Sequence, residues 1–331
     1  MSNSDTKLLR DLQQRVGRPF AFEMEGDRCV GLDLTSEDDP HHGLIRRHSF
    51  AEKQAILRQL CRLRNLRKLN LRRNKLGVLP PEFAELRELE VLILGSNCLG
   101  QVPPQIARLE RLKSLHLGNN DIRELPPFMG GFAHLEYLAL HKNLRLKSVS
   151  NLAGLTSLRH LNLHYLNLHR LPLFVCSFRR LVTLTVWNIT QFPEELANLA
   201  GLEFFSDCGS PALRELPPAL MQLKKMRMMR LFQNSLTTLP EEIGELEHLE
   251  QLSLYQNQLG RLPDSFGRLK KLRKLNLACN RFKQIPSCLS QCESLEWLAL
   301  FENPIKPGET PPLPARAEVL RHWPFTTLPK A

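Results

Sequence analysis

Histidines at repeated spacings are the first candidates for chemistry in this sequence. His141 and His164 are 23 residues apart, and His116 and His160 lie near them in the same pattern. Imidazoles on adjacent strands could bind one zinc ion, which takes nitrogen, sulfur or oxygen ligands. No cysteine or carboxylate falls at the matching positions. We therefore favour a polar binding surface and predict no metal and no cofactor.

Cysteines are the next candidates, as nucleophiles or as metal ligands. Eight are scattered along the chain, and Cys288 and Cys292 are four residues apart. A catalytic thiolate needs a base and an orienting group, and a zinc pair needs two further ligands; the sequence indicates neither. Walker, GxSxG and HExxH motifs are absent as well. These patterns predict a protein with no catalytic activity of its own.

Basic residues give the chain a formal net charge of +11. They concentrate at residues 58–75, where no acidic residue interrupts them, and in smaller groups at 224–230 and 270–274. Salt-sensitive binding of nucleic acid is one interpretation of this charge. Most of these cations are predicted on the outer wall or at the strand entry, and we favour an acidic protein partner as the use of the charge. Those predicted on the inner face are Lys68, Arg72, Arg230 and Lys274.

A repeat of 23 residues organises these side chains. The segments LRKLNLRRNKLGVLP from Leu66, LEVLILGSNCLGQVP from Leu89 and LKSLHLGNNDIRELP from Leu112 share one frame. Eleven repeats in total share this frame. The distance from one repeat to the next is 21 residues once and 24 residues once, both between residues 181 and 226. Alternation in LxL puts both leucines on one face of a short strand, and the later Asn can hydrogen-bond the turning backbone. Stacked repeats would bury these leucines in one continuous core.

The pattern LxxLxLxxNxLxxLP resembles that of leucine-rich-repeat proteins, most closely the intracellular class that includes Ras-pathway adaptors, Roco repeat domains and many bacterial proteins. The resemblance implies an α/β solenoid, a curved horseshoe with a parallel β-sheet on the concave face and short helices or irregular turns on the convex face. Three parts are expected: an N-terminal cap at 1–62 with a degenerate first strand, eleven leucine-rich repeats at 63–306, and a C-terminal cap at 307–331.

Outside the regular repeats, helices are predicted at 6–15, 50–63 and 315–323. Repeats four to seven depart from the pattern: Leu166 and Ile189 stand where Asn is expected, and the seventh repeat has no Asn at its turn. Such irregularity marks either a functional site or drift that neighbouring coils tolerate. The seventh repeat is expected to be out of frame at its seventh position.

The N-terminus and the cysteines bear on localisation. The first twelve residues are polar and lack the apolar segment of a signal peptide, and no run of about 18 apolar residues predicts a membrane span. Secreted proteins of this type usually carry clustered cysteines in disulfide caps, whereas scattered cysteines indicate reduced thiols. A cytoplasmic protein that does not bind membranes is predicted, with a secreted effector as the alternative.

The third, fifth and seventh positions of each repeat are predicted to point away from the leucines, onto the concave face. Aromatic residues are 7% of the chain, yet tyrosines and tryptophans gather at these positions, where they are typical interface anchors. The sequence therefore predicts a scaffold that recognises another protein. A substrate-selecting subunit or bacterial effector acting with a separate enzyme, and a nucleic-acid binder, are the alternatives. The predicted partner-binding residues are Tyr137, His141, His160, His164, Trp187, Phe232, Tyr255, Trp297 and Phe301.

Overall fold

The computed structural model describes residues 4–35, 43–306 and 313–320. The chain divides into two compact units, Met1–Asn167 and Leu168–Ala331, which we call the N-terminal unit and the C-terminal unit. Both are built from the predicted repeat, with one short strand in each repeat and mostly parallel pairing. The predicted fold class, a leucine-rich-repeat solenoid, is confirmed.

In the N-terminal unit, two helices and a hairpin precede the repeat strands. The hairpin strands pair antiparallel, and the second of them pairs parallel with the first repeat strand. Within this unit, the repeat strands then pair in parallel, each with the next one 23 residues further on, as Lys68 does with Val91. The elements are α1 (Ser4–Val16), β1 (Ala21–Glu25), β2 (Arg28–Asp33), α2 (Phe50–Leu60), β3 (Lys68–Asn70), β4 (Val91–Ile93), β5 (Ser114–His116), β6 (Tyr137–Ala139) and β7 (His160–Asn162).

The C-terminal unit continues the same plan with parallel neighbours throughout its described strands. Its elements are β8 (Thr183–Trp187), β9 (Phe204–Cys208), α3 (Pro218–Met221), β10 (Met228–Arg230), β11 (Gln251–Ser253), β12 (Lys274–Asn276), β13 (Trp297–Ala299) and β14 (Glu318–Leu320).

Short 3-10 helices form most of the wall opposite the strands. Most of them begin after the proline of a Leu-Pro step, as at Pro80 and Pro240, because proline holds φ near the helical value and lacks an N–H that would be left unpaired there. They are Pro81–Glu85, Pro104–Arg108, Pro127–Gly131 and Ser150–Leu152 in the N-terminal unit, and Leu173–Ser177, Glu194–Asn198, Glu241–Glu245, Asp264–Arg268 and Ser287–Gln291 in the C-terminal unit.

Leucines at the first, fourth and sixth positions of the repeat form the core. In the first repeat Leu66, Leu69 and Leu71 are all at most 1% exposed. Burying one such side chain contributes about 1.5–3 kcal/mol, so stacked repeats hold the strands rigidly. The side chains between these leucines are thereby fixed on the other face of the sheet.

The turn after each strand contains a residue in a left-handed backbone conformation, which the sequence does not predict. The eighth residue of every repeat lies in the left-handed backbone region, with φ between 52° and 63° at the ten non-glycine residues and 68° at Gly209. This conformation turns the chain inward and costs an ordinary residue roughly 1–2 kcal/mol. The residues are Arg73, Ser96, Asn119, Lys142, Tyr165, Asn188, Gly209, Gln233, Gln256, Cys279 and Glu302.

Asparagines at the ninth position form the predicted ladder. Asn120 is 7% exposed; its Oδ1 accepts a hydrogen bond from the Leu99 amide at 3.1 Å. Its Nδ2 donates to the carbonyl oxygens of Leu94 at 3.1 Å and Leu117 at 2.9 Å. One side chain thus satisfies backbone groups of two coils. The same bonds are made by Asn97, Asn143, Asn257, Asn280 and Asn303.

The seventh repeat replaces an inward leucine with an acid. The sixth position is Leu or Val in the other ten repeats, but here it is Asp207, which is fully buried. Its carboxyl oxygens accept hydrogen bonds from the Ile189 amide at 3.3 Å and from Ser210 Oγ at 3.2 Å. Since β9 pairs in register with both β8 and β10, the expectation that this repeat is out of frame is wrong.

The chain ends differ from the prediction in one respect. Helices α1 and α2 form where expected, and the Ser49–Glu52 capping box fixes the start of α2. The helix predicted at 315–323 is wrong over its described part, because residues 318–320 pair with β13 as strand β14. The open edge of a sheet presents unpaired backbone groups that favour such pairing. Residues 321–323 lie outside the described residues.

Candidate functional site

We call the side chains at the third, fifth, seventh and eighth positions of the repeats the strand face. In the N-terminal unit this face carries a run of stacked rings. The His116 and Tyr137 rings stack with centroids 4.4 Å apart, and Tyr137 lies 5.9 Å from His160. Ser114 Oγ lies 3.0 Å from His116 Nε2. These rings are half-buried, so they are held in place and remain partly accessible to solvent.

His141 lies over a glycine. A Cβ at Gly118 would overlap the His141 ring, whereas a Cβ at Gly95, one repeat earlier, would meet just the Gly118 carbonyl oxygen at 3.2 Å. Among the described residues, His141 Nδ1 is a buried atom with no hydrogen-bond partner. The missing side chain at Gly118 is therefore what allows the imidazole to lie over the Gly118 backbone.

Partial burial changes how these imidazoles titrate. It lowers the pKa of His116 to about 4, with smaller contributions from the His141 and Arg72 charges. It also lowers the pKa of His141, to which Lys142 and Arg72 contribute, and that of His160. His116 is thus neutral near pH 7. Arg72 is within electrostatic range of both His116 and His141.

Replacing Gly118 by Ala should displace the His141 ring and raise its pKa, since the displaced ring regains water. The matched change Gly95→Ala adds the same methyl group without reaching the ring and should leave the titration unchanged. Histidine side-chain NMR shifts followed over pH measure this directly. Equal titration curves for the two variants would contradict the packing described for His141.

The remaining predicted residue of this unit, His164, lies beside the turn of the fifth repeat. His164 is half-buried, and its ring meets that of Tyr165 edge-on at 4.3 Å. Lys142 Nζ lies 5.4 Å from the centre of the Tyr165 ring, a cation–π contact. Tyr137, His141, His160 and His164 are therefore all on the strand face, as predicted.

In the C-terminal unit the strand face is aromatic rather than imidazole-rich. Trp187 is half-buried and lies across Gly209, where a Cβ would overlap its ring. Gly209 also has the φ of +68° that the turn requires, so glycine serves two needs at one position. Arg230 lies 5.5 Å from the centre of the Phe204 ring. The sequence pattern did not identify Gly209, because the seventh repeat was expected to be out of frame.

Tyr255, Trp297 and Phe301 form a cluster over two alanines. Ala278 and Ala299 are fully buried, and Tyr255 and Trp297 pack against the cluster. The Tyr255 and Phe301 rings are 6.4 Å apart. Phe301 is 6% exposed, so its expected exposure is wrong; the small Ala278 leaves room that the Phe301 ring fills. Phe301 supports the surface, while Phe232, Tyr255 and Trp297 are half-buried.

Many of the basic residues have acidic partners that are distant in the sequence. Within the part of the chain that the structure describes, four of the eight cations in residues 58–75 do so, which the local sequence could not show. Exposed pairs of this kind contribute about 0–1 kcal/mol each, but they neutralise charge that nucleic acid would otherwise meet. The pairs are Arg58–Glu82, Arg64–Glu85, Arg67–Glu25 and Lys68–Glu23, and in the other basic groups Lys224–Glu245, Arg227–Glu250, Lys270–Glu293 and Arg273–Glu296.

Metal and thiol chemistry gain no support from the geometry. Within the ranges that the structure describes, no three His, Cys, Asp or Glu side chains converge in a way that could hold a metal ion. Burial raises the pKa of Cys288 to about 11 and that of Cys292 to about 12. Both are therefore thiols rather than nucleophilic thiolates near pH 7.

No helix of the described part is long and apolar enough to cross a membrane.

Comparison with known proteins agrees with the repeat architecture. The family model described as "Leucine-rich repeat region" matches residues 46–167 and 216–307, more than half of the chain. The chain therefore belongs to the leucine-rich-repeat family, whose members are generally binding scaffolds without catalytic activity. No curated protein sequence matches it significantly.

Solved structures show the same fold. An internalin, InlF from Listeria monocytogenes, is 20% identical with a TM-score of 0.67, over 91% of this chain and 82% of that one. The functional domain of InlJ from the same species is 18% identical with a TM-score of 0.56, over 68% and 46%. The crystal structure of a TDR receptor is 26% identical with a TM-score of 0.58, over 74% of this chain and 49% of that one.

Proposed function

We propose that this chain is a non-catalytic recognition scaffold that binds another protein on its strand face. The observation that carries the proposal is the set of half-buried aromatic and imidazole rings fixed on that face in each unit. Tyr137 in the N-terminal unit and Trp187 and Tyr255 in the C-terminal unit are each half-buried, so neighbouring residues hold the ring while part of it stays accessible.

The physical case is one of preorganisation. Tyr and Trp supply large contact areas with few rotatable bonds, and here the rings are already held by the core. Binding would therefore cost conformational entropy where the partner becomes ordered, but little in the scaffold, which is already ordered. The similarity to a TDR receptor is compatible with such a role. The paired cations of the outer surface favour protein over nucleic acid as the partner.

Removing two anchors should abolish partner capture. A Trp187→Ala/Tyr255→Ala chain should lose the protein that the wild-type chain retains, because each ring is a candidate hot spot worth about 2 kcal/mol or more. The measurement is affinity purification from cells that express the chain, quantified by mass spectrometry.

The control is Leu173→Ala, which removes an exposed apolar side chain (58% exposed) from the outer 3-10 helix of the same unit. It should leave capture intact. Equal loss in both variants, or salt-sensitive retention of RNA or DNA that ignores the double variant, would count against a protein-binding strand face.

A further inference from the structure

The strand face of the N-terminal unit has an uneven charge that the proposed function does not by itself explain. Across the third, fifth, seventh and eighth positions of the first five repeats there is no Asp or Glu. The same positions hold four histidines and the cations Lys68, Arg72, Arg73 and Lys142. Lys68 is already paired with Glu23 at 3.0 Å.

Arg72 is the cation best placed to meet a ligand. It occupies the seventh position of the first repeat, it is exposed, and it makes no ion pair among the described residues. Partial burial and the neighbouring Arg73 charge lower its pKa. A guanidinium stays charged and presents a planar fork that fits a carboxylate.

The surface beside Arg72 has open space. The seventh position of the next two repeats is glycine, and neighbouring strands lie about 5 Å apart. The His141 ring fills the space over Gly118, but a Cβ at Gly95 would meet just one carbonyl oxygen. Backbone that carries no side chain therefore lies at Gly95, between Arg72 and the repeats of His116 and His141, and we call this stretch the recess.

We propose that this recess binds a carboxylate side chain from an acidic segment of the partner protein, with Arg72 as the ion-pair residue. It rests on the proposed function and adds the chemistry of the bound segment. His116, Tyr137 and His141 form the wall that orients the segment. Among the described residues at the third, fifth and seventh positions of these repeats, Arg72 is the one cation without an ion pair, while Arg73 and Lys142 lie at the eighth position, in the turns. A single such cation among largely neutral rings suits one carboxylate, whereas a nucleic-acid backbone needs a row of unpaired cations.

The test uses the intact purified chain and two fluorescein-labelled decapeptides, one alternating Glu and Ala and one alternating Gln and Ala, read by fluorescence anisotropy. The wild-type chain should bind the Glu peptide and not the Gln peptide. Arg72→Gln should weaken binding of the Glu peptide by about tenfold or more, the loss of one charge-assisted hydrogen bond.

Arg108→Gln is the matched control, since it removes the same charge from an exposed position on the outer 3-10 helix. It should leave affinity nearly unchanged. A second variant tests the recess itself: Gly95→Glu places a competing carboxylate beside Arg72 and should weaken binding more than Gly95→Gln does. Circular dichroism verifies that each variant is folded.

Equal weakening by Arg72→Gln and Arg108→Gln would overturn the proposal, because nonspecific attraction by the net charge predicts that result. It would also be overturned if Arg145→Gln, in the shallow cleft lined by Arg123, Glu124, Arg145 and Lys147, weakened binding instead. Binding of a ten-nucleotide RNA or of inorganic phosphate at the recess in place of the peptide would overturn it as well. The results with the Arg72, Arg108 and Arg145 variants would leave the proposed function standing, because the Trp187→Ala/Tyr255→Ala comparison tests it separately in the other unit.

Discussion

Replacing Asp207 by Asn should make the stability of the protein less dependent on pH and raise it above pH 7. Burial raises the pKa of Asp207 from 3.8 to about 7. Between these values the unfolded carboxyl is ionised while the folded one keeps its proton. The folded state therefore binds more protons, and wild-type stability falls as pH rises from about 4 to about 7.

The expected size is large for one side chain. A shift of this extent corresponds to at most about 4 kcal/mol, fully lost above pH 7. The amide that Asp207→Asn introduces is neutral at every pH and can still accept from Ile189 and donate to Ser210. The variant should therefore match wild type near pH 4 and exceed it at pH 8.

Urea unfolding at a series of pH values measures this effect. Asp264→Asn, which changes an exposed acid in the same unit, is the control and should keep the wild-type profile. A wild-type stability that rises between pH 4 and pH 7 in step with the Asp207→Asn variant would show that the buried acid does not titrate in this range.

Replacing Asn120 by Ala should destabilise the N-terminal unit by about 2–4 kcal/mol. The change leaves the Leu99 amide and the Leu94 and Leu117 carbonyls without their side-chain partner. Each buried unsatisfied group costs about 1–3 kcal/mol, and water that enters the vacated space offsets part of this cost. Asn167→Ala removes an exposed amide from the same unit and should change stability by less than about 0.5 kcal/mol. Similar unfolding midpoints for the two variants would contradict the ladder.

The repeat frame and the ladder could be predicted because each rests on one residue type at one interval. Leucines that recur every 23 residues can be buried when the repeats stack on one another. An Asn at the turn of each repeat then has one set of backbone groups to hydrogen-bond. The strand-face positions of Tyr137, Trp187 and Tyr255 followed from alternation alone.

Other features could not be read from the sequence because they depend on neighbouring coils. An aspartate taken by itself is expected to be exposed. The register of β9 against β8 and β10 shows that Asp207 occupies an inward position of the repeat. Phe301 alternates outward but is covered because Ala278 beside it is small. The left-handed eighth residue has no signature, since Arg, Ser, Lys, Tyr, Gln and Glu all occur there.

The central claim is that fixed rings on the strand face provide the affinity for a protein partner. Its most direct measure is the Kd of the recovered partner for the Trp187→Ala/Tyr255→Ala chain relative to the Leu173→Ala chain, by titration calorimetry. We expect a ratio of about 100 or more, from two lost anchors. A ratio near one, with both variants folded, would place the binding surface elsewhere on the molecule.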